Sequence, residues 1–288
     1  MASVNLRGYD FDYSESGSGE PVVLVHGSAT DQRTWQGQRD ELAKRYRVIA
    51  YSRRYHWPNA PIADGAEYSM DEQVEDLRAL LRSLQAAPAR LVGHSYGAFL
   101  CLLLALRDPL LVRSLVLAEP PAITLFVSSV PKPAELLKLL VTRPRTAAAI
   151  IRFGATGIDP ATKAFRRGDA QAGVRIFGDA VFGKGGYERL PAAIKAQVQD
   201  NLSNVKAEFL GPGFLPLDPE ALRALRVPAL LVAGEGSVPV FHRLLDRLQE
   251  LLPVTERVEI PGGSHDMHED NAPAFNAALE AFLGGLGR

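Results

Sequence analysis

The segment Gly93-His94-Ser95-Tyr96-Gly97 restricts the fold of this chain more than any other, because it joins a short apolar run, Arg90–Val92, to a long one, Ala98–Leu106. The five letters alone are a weak pattern. Their context makes them specific. A strand that turns directly into a helix leaves one residue in a tight, strained bend, and side chains flanking it would run into adjacent backbone. Glycines at 93 and 97 remove that collision. The Ser95 hydroxyl then projects at the carboxyl edge of the sheet, where open α/β folds bind ligands. The helix N-terminus behind it offers N–H groups and partial positive charge to a developing oxyanion.

The rest of the chain fits such a sheet. Pro21–His26, Tyr46–Tyr51, Arg90–Gly93, Val112–Leu117, Pro228–Ala233 and Arg257–Ile260 are short apolar runs of the kind found in strands covered on both faces. Helical patterns separate them. Val74, Leu77, Leu81 and Leu84 share one face, as do Phe241, Leu244, Leu245, Leu248 and Leu252, and Phe275, Leu279 and Phe282. This alternation predicts an α/β protein with a mostly parallel, doubly wound sheet. Val4–Phe11 and a piece around Tyr13 read as an antiparallel start, followed by a turn at Gly17–Gly19.

The rhythm breaks between Pro120 and Asp218. That region has no clear buried strand but several helical stretches, among them Ala134–Val141, Ala147–Phe153 and Ala192–Leu202. It reads as a helical cap over 121–218, inserted into a core formed by 1–120 and 219–288. The cap is net positive within a chain of formal charge −1. A solvated helix surface accounts for this.

Composition excludes several classes. Apolar residues make up 47% of the chain, which is enough for a large core and rules out disorder. The near-neutral charge argues against nucleic acid as a partner. No apolar run reaches membrane-spanning length, so stable membrane insertion is not expected. The first residues lack the apolar core of a signal peptide. The lone cysteine, Cys101, lies in an apolar helical run, as a small buried hydrophobe does. A cytoplasmic protein is expected.

Two further segments supply chemistry to Ser95. After the first apolar strand comes His26-Gly27-Ser28, in a loop that a parallel sheet would set beside the serine turn. The N–H groups of Ser28 and Tyr96 would form a two-donor oxyanion hole. His26 reads as a structural tie. Near the end, Ile260-Pro-Gly-Gly-Ser-His265 presents a histidine after a strand and a glycine-rich loop. Histidine is the side chain whose pKa suits it to deprotonate a serine hydroxyl near neutrality. His265 is therefore the expected base, with His268, packing nearby or lining the pocket, as the alternative, and His94 under the turn. His56 and His242 read as structural or exposed. No metal is expected, since His265, His268 and Glu269 lack a clean ligand spacing, and no cofactor is needed.

His26-Gly27, Gly93–Gly97 and Pro261–His265, in that order and spacing, resemble the α/β-hydrolase superfamily over nearly the whole chain. The resemblance implies a serine hydrolase with a catalytic triad. It places the acid, usually an aspartate, after the strand Pro228–Ala233. Here that segment reads Gly234-Glu235-Gly236-Ser237, with serine at the aspartate position. Haloalkane dehalogenases and zearalenone lactonases carry the acid at the end of the preceding strand instead. This chain has Glu119 there, in Leu115-Val-Leu-Ala-Glu119. A buried glutamate is costly unless paired, and an imidazolium would offset that cost. Glu119 is the expected acid, with Glu235 and then Asp266 as alternatives; an ion pair with Arg53 or Arg54 would be its purely structural use.

The expected function is hydrolysis of a small carboxylic ester or lactone through an acyl-enzyme on Ser95. A serine in place of the dehalogenases' aspartate argues against a covalent alkyl route. The Leu, Phe and Ala content of the cap points to an apolar or aromatic substrate, with Trp57 and Phe126 as candidate pocket residues. C–C bond hydrolysis or cofactor-free oxygenation on the same fold is the alternative reading. A ligand receptor with residual hydrolase activity is the alternative from another class.

Overall fold

Each apolar strand divides its side chains between two cores, and this fixes the architecture. The computed structural model describes residues 2–63 and 65–286. Eight strands form one sheet: β1 (Ala2–Leu6), β2 (Tyr9–Ser16), β3 (Pro21–Val25), β4 (Arg47–Tyr51), β5 (Ala89–His94), β6 (Val112–Ala118), β7 (Ala229–Gly234) and β8 (Thr255–Ile260). Their spatial order is β1-β2-β4-β3-β5-β6-β7-β8. The first two strands are antiparallel to their neighbours and the rest pair in parallel.

In β3, Val23 and Val25 face one core while Val22 and Leu24 face the other. Leu91 and Val92 divide in the same way, as do Leu115 and Val116. This two-residue alternation, apolar on both sides, is why the strands read as continuous apolar runs.

Helices cover both faces. They are, in chain order, α1 (Gln36–Leu42), α2 (Met70–Ser83), α3 (Tyr96–Arg107), α4 (Pro133–Thr142), α5 (Pro144–Phe153), α6 (Asp159–Arg166), α7 (Ala170–Phe182), α8 (Gly186–Arg189), α9 (Ala192–Asp200), α10 (Leu202–Leu210), α11 (Pro219–Ala224), α12 (Pro239–Leu251), α13 (Met267–Asp270) and α14 (Ala272–Gly285). α2, α3 and α12 close one core through Leu77, Phe99 and Leu245. Leu42 of α1, with Phe275 and Leu279 of α14, closes the other around Trp35. Cys101 is buried in α3 with a free thiol, pushed well up by desolvation. Among the described residues, no helix is long and apolar enough to cross a membrane.

Two expected segments differ from the structure. Val4–Phe11 is not one strand, because Arg7 and Gly8 both take positive φ (53° and 80°) and turn the chain into a β1–β2 hairpin. The stretch Ala192–Leu202 divides at Asn201 into α9 and α10. The buried Asn201 side chain bonds outward, donating to Asp31 Oδ2 at 2.9 Å and accepting from Trp57 N–H at 2.8 Å. α4 to α10 form a helical insertion between β6 and β7.

Candidate active site

Ser95 lies between the end of β5 and the start of α3 with φ 50° and ψ −119°, a conformation that costs a non-glycine residue about 1–3 kcal/mol. Its N–H donates to Ala118 O at 2.8 Å, and its carbonyl accepts from Phe99 N–H at 3.1 Å. These bonds pin the bend between β6 and α3. A Cβ at Gly97 would come within 2.2 Å of Val25 O, and one at Gly93 within 2.5 Å of Ala98 Cα. The bend is therefore so tightly packed that neither flanking position has room for a side chain.

The loop after β3 presses against this bend. A Cβ at Gly27 would meet His94 Nδ1 at 2.9 Å and Ser95 Cβ at 3.2 Å. Beneath the loop is Arg53, wholly buried. Its guanidinium donates to His26 O at 3.1 Å and Gly27 O at 3.0 Å, and its N–H donates to His26 Nε2 at 2.9 Å. His26 Nδ1 also bonds Gly27 O, at 2.9 Å. His26 is thus a structural tie.

Glu119 ends β6, wholly buried and at φ 46°. One oxygen, Oε2, is 2.5 Å from His265 Nδ1; the other accepts from Gly234 N–H at 2.9 Å. The Ser237 hydroxyl lies beside the same carboxyl and lowers its pKa, though it falls short of hydrogen-bond geometry. The position where a family aspartate would stand therefore supports Glu119. Glu235 is exposed and accepts from Gly262 N–H at 2.9 Å, while Arg53 pairs with Glu208 and Arg54 with Asp76. None of these three contacts Glu119 or His265.

Burial pushes both members of the Glu119–His265 pair toward their neutral forms. Desolvation raises the carboxyl above its ordinary range and lowers the imidazole below its own. A neutral imidazole that donates Nδ1–H to Oε2 across the 2.5 Å contact leaves Nε2 without a proton, as a free base. Phe241 stacks on the imidazole with ring centres 4.1 Å apart. His94 donates from Nε2 to His265 O at 2.9 Å, and His268 bonds Thr34 at 2.9 Å. His56 is buried and His242 half-buried, 3.6 Å from Glu259.

Ser95 and His265 line one cavity. Ser28, Ala29, Thr30, His94 and Asp266 complete its floor. Its roof comes from the insertion, with Val174, Phe177, Gly178, Val181 and Phe182 on α7 and Tyr187, Leu190, Ile194 and Val198 beyond it. Among the described residues, no lysine or arginine lines the cavity. Trp57 and Phe126, expected at the pocket, do not line it. Trp57 packs under the Arg33 guanidinium at 3.8 Å, and Phe126 packs beside the cluster around Phe241 and Ile150. The α7 wall was missed from sequence, although Val174, Phe177 and Val181 recur at helical spacing. His94, Asp266 and His268 can each offer one ligand atom within 4.8 Å of the others, and form the one such group among the described residues. His94 and His268 already serve the His265 carbonyl and Thr34.

The chain matches the alpha/beta hydrolase family profile over residues 22–278. It is 26% identical to the 2-(acetamidomethylene)succinate hydrolase of Mesorhizobium japonicum over 282 residues, 97% of this chain and 94% of that one. It is 32% identical over 142 residues to an uncharacterised protein of Mycobacterium tuberculosis, spanning 47% of this chain but only 41% of the relative's length. An esterase structure from Thermogutta terrifontis superposes with a TM-score of 0.67 at 21% identity, covering 99% of this chain and 97% of the other. With an eight-stranded sheet, a serine bend at its carboxyl edge and a profile match from the first buried strand to the last helix, the chain belongs to the alpha/beta hydrolase family.

Proposed function

We propose that this chain hydrolyses a carboxylic ester or lactone through an acyl-enzyme on Ser95. His265 Nε2 takes the serine proton, and Glu119 holds the imidazole in the tautomer that leaves Nε2 free. The N–H groups of Ser28 and Tyr96 receive the oxyanion. Residues 121–218 act as a cap over a core of 1–120 and 219–288, and the cap's apolar α7 face excludes water from the acyl group. The observation that carries this reading is the 2.5 Å bond from Glu119 to His265, whose imidazole lines the same cavity as the strained Ser95.

A neutral, apolar acyl group suits this cavity. A carboxylate entering it would lose hydration with no lysine or arginine in the lining to replace it. A panel of p-nitrophenyl esters tests both points. Butyrate and benzoate esters should be cleaved, with kcat/KM about 100-fold above that of the matching hemisuccinate. Inertness toward every ester and lactone tried would defeat the proposal. Turnover of a β-diketone in their place would favour C–C bond hydrolysis, which uses the same machinery on an enolate.

The pH profile gives a second check. The neutral imidazole is the active base, and burial lowers the His265 pKa. The base form therefore persists as pH falls. The acid limb of kcat/KM should lie below pH ~6, under the ordinary imidazole midpoint of about 6.5. A half-maximal point above 7 would contradict this assignment.

A further inference from the structure

We propose that the insertion sets the oxyanion hole through a buried relay, in which Glu208 on α10 holds Arg53 and Arg53 holds the peptide between Gly27 and Ser28. The inference rests on the serine hydrolase reading above. The Gly27 carbonyl and the Ser28 N–H belong to one trans peptide unit and point in opposite directions. Arg53 Nη2 fixes that carbonyl at 3.0 Å beneath the loop. The Ser28 N–H is thereby turned the other way, and Ser28 lines the cavity. Were the peptide free to flip, a carbonyl oxygen would face the developing negative charge.

Arg53 does not hold this position alone. The same Nη2 donates to Glu208 Oε1 at 3.0 Å, and Nη1 donates to Tyr68 Oη at 3.1 Å. Tyr68 in turn donates to Glu208 Oε1 at 3.0 Å. The Arg53 and Glu208 side chains are 0% and 5% exposed, so this is a buried ion pair. The guanidinium also lies 4.6 Å from the ring of Tyr96, whose N–H is the second proposed donor. One turn earlier on α10, Asn204 bonds His56 Nε2 at 2.6 Å, and that same nitrogen bonds Arg53 at 3.1 Å. Every link is buried and charged or hydrogen-bonded, and removal of Glu208 leaves Arg53 without its counter-ion. Seating α10 on the core is therefore what completes the hole. Glu208 and Arg53 are positioning residues, since neither lines the cavity.

The test compares Glu208→Ala, Glu208→Gln and the double variant Arg53→Met/Glu208→Met. Each is assayed with p-nitrophenyl butyrate and with phenylboronic acid, which forms a tetrahedral adduct on an active serine. Glu208→Ala should lower kcat about 30-fold with KM within twofold, and weaken boronate inhibition by a similar factor. Glu208→Gln keeps the acceptor oxygen and should recover most of that loss. The double variant leaves no unpaired buried charge, so it should fold even if Glu208→Ala does not, and it should show the same loss of kcat and boronate affinity. Folded variants that keep both quantities within twofold of wild type would overturn the relay, as would a loss confined to KM. Failure of the hydrolase reading looks different, because Ser95→Ala would then match wild type.

Discussion

Ser95→Ala should cost at least about 10⁵-fold in kcat toward any ester the protein cleaves, because no acyl-enzyme can form without the hydroxyl. The residual rate would reflect substrate held against the Ser28 and Tyr96 N–H groups. Stability should move the other way. Ser95 occupies φ 50°, a cost the protein carries whether or not substrate is present. Ser95→Gly removes the side chain responsible and should raise stability by about 1 kcal/mol while being as inactive as the alanine variant. Steady-state turnover and chemical denaturation on the same preparations measure both effects. A Ser95→Gly protein that is inactive and less stable would show that the bend is not strained as the geometry implies.

Glu119→Gln should lower kcat by about 10⁴-fold, with little change in KM. An amide in place of the carboxylate can offer its NH₂ to His265 Nδ1. That stabilises the tautomer protonated on Nε2, which cannot accept the serine proton. The protein should fold normally, since a neutral amide avoids the desolvation that raises the Glu119 carboxyl. Glu235→Gln provides the comparison. Glu235 is exposed and bonded to Gly262 N–H, so kcat should stay within about twofold of wild type. If Glu235→Gln proved the damaging change and Glu119→Gln the mild one, the acid would have been placed on the wrong strand.

These predictions draw unequally on sequence and structure. The Ser95 bend was legible because its constraints are local. Two glycines, a preceding strand and a following helix lie within a few residues, and at 93 the clash is itself local, with Ala98, although at 97 it is with Val25 and His26 at the end of the neighbouring strand. The sheet was legible for a related reason, as strands buried on both faces cannot alternate in polarity. The hairpin at Arg7–Gly8 was less so, because arginine is an unusual residue at positive φ and pairing with β2 holds it there.

Glu119 shows what lay in between. A glutamate at the end of an apolar strand announced a buried charge, but the sequence offered Arg53, Arg54 and His265 as partners. Choosing among them required knowing which loops meet above β6. Trp57 and Phe126 mark a plainer failure. Aromatic character singled them out, yet pocket lining depends on where a helix packs rather than on side-chain type, and α7 took that place.

The sequence alone determined the order of strands and helices, the serine bend and the histidine loop, because each rests on interactions between residues near one another in the chain. Only the tertiary structure decided which carboxyl meets His265, which helix roofs the cavity, and that Arg53 joins the oxyanion loop to the insertion. Those contacts join residues more than a hundred positions apart, and the geometry that selects them arises only when the sheet and the insertion have packed.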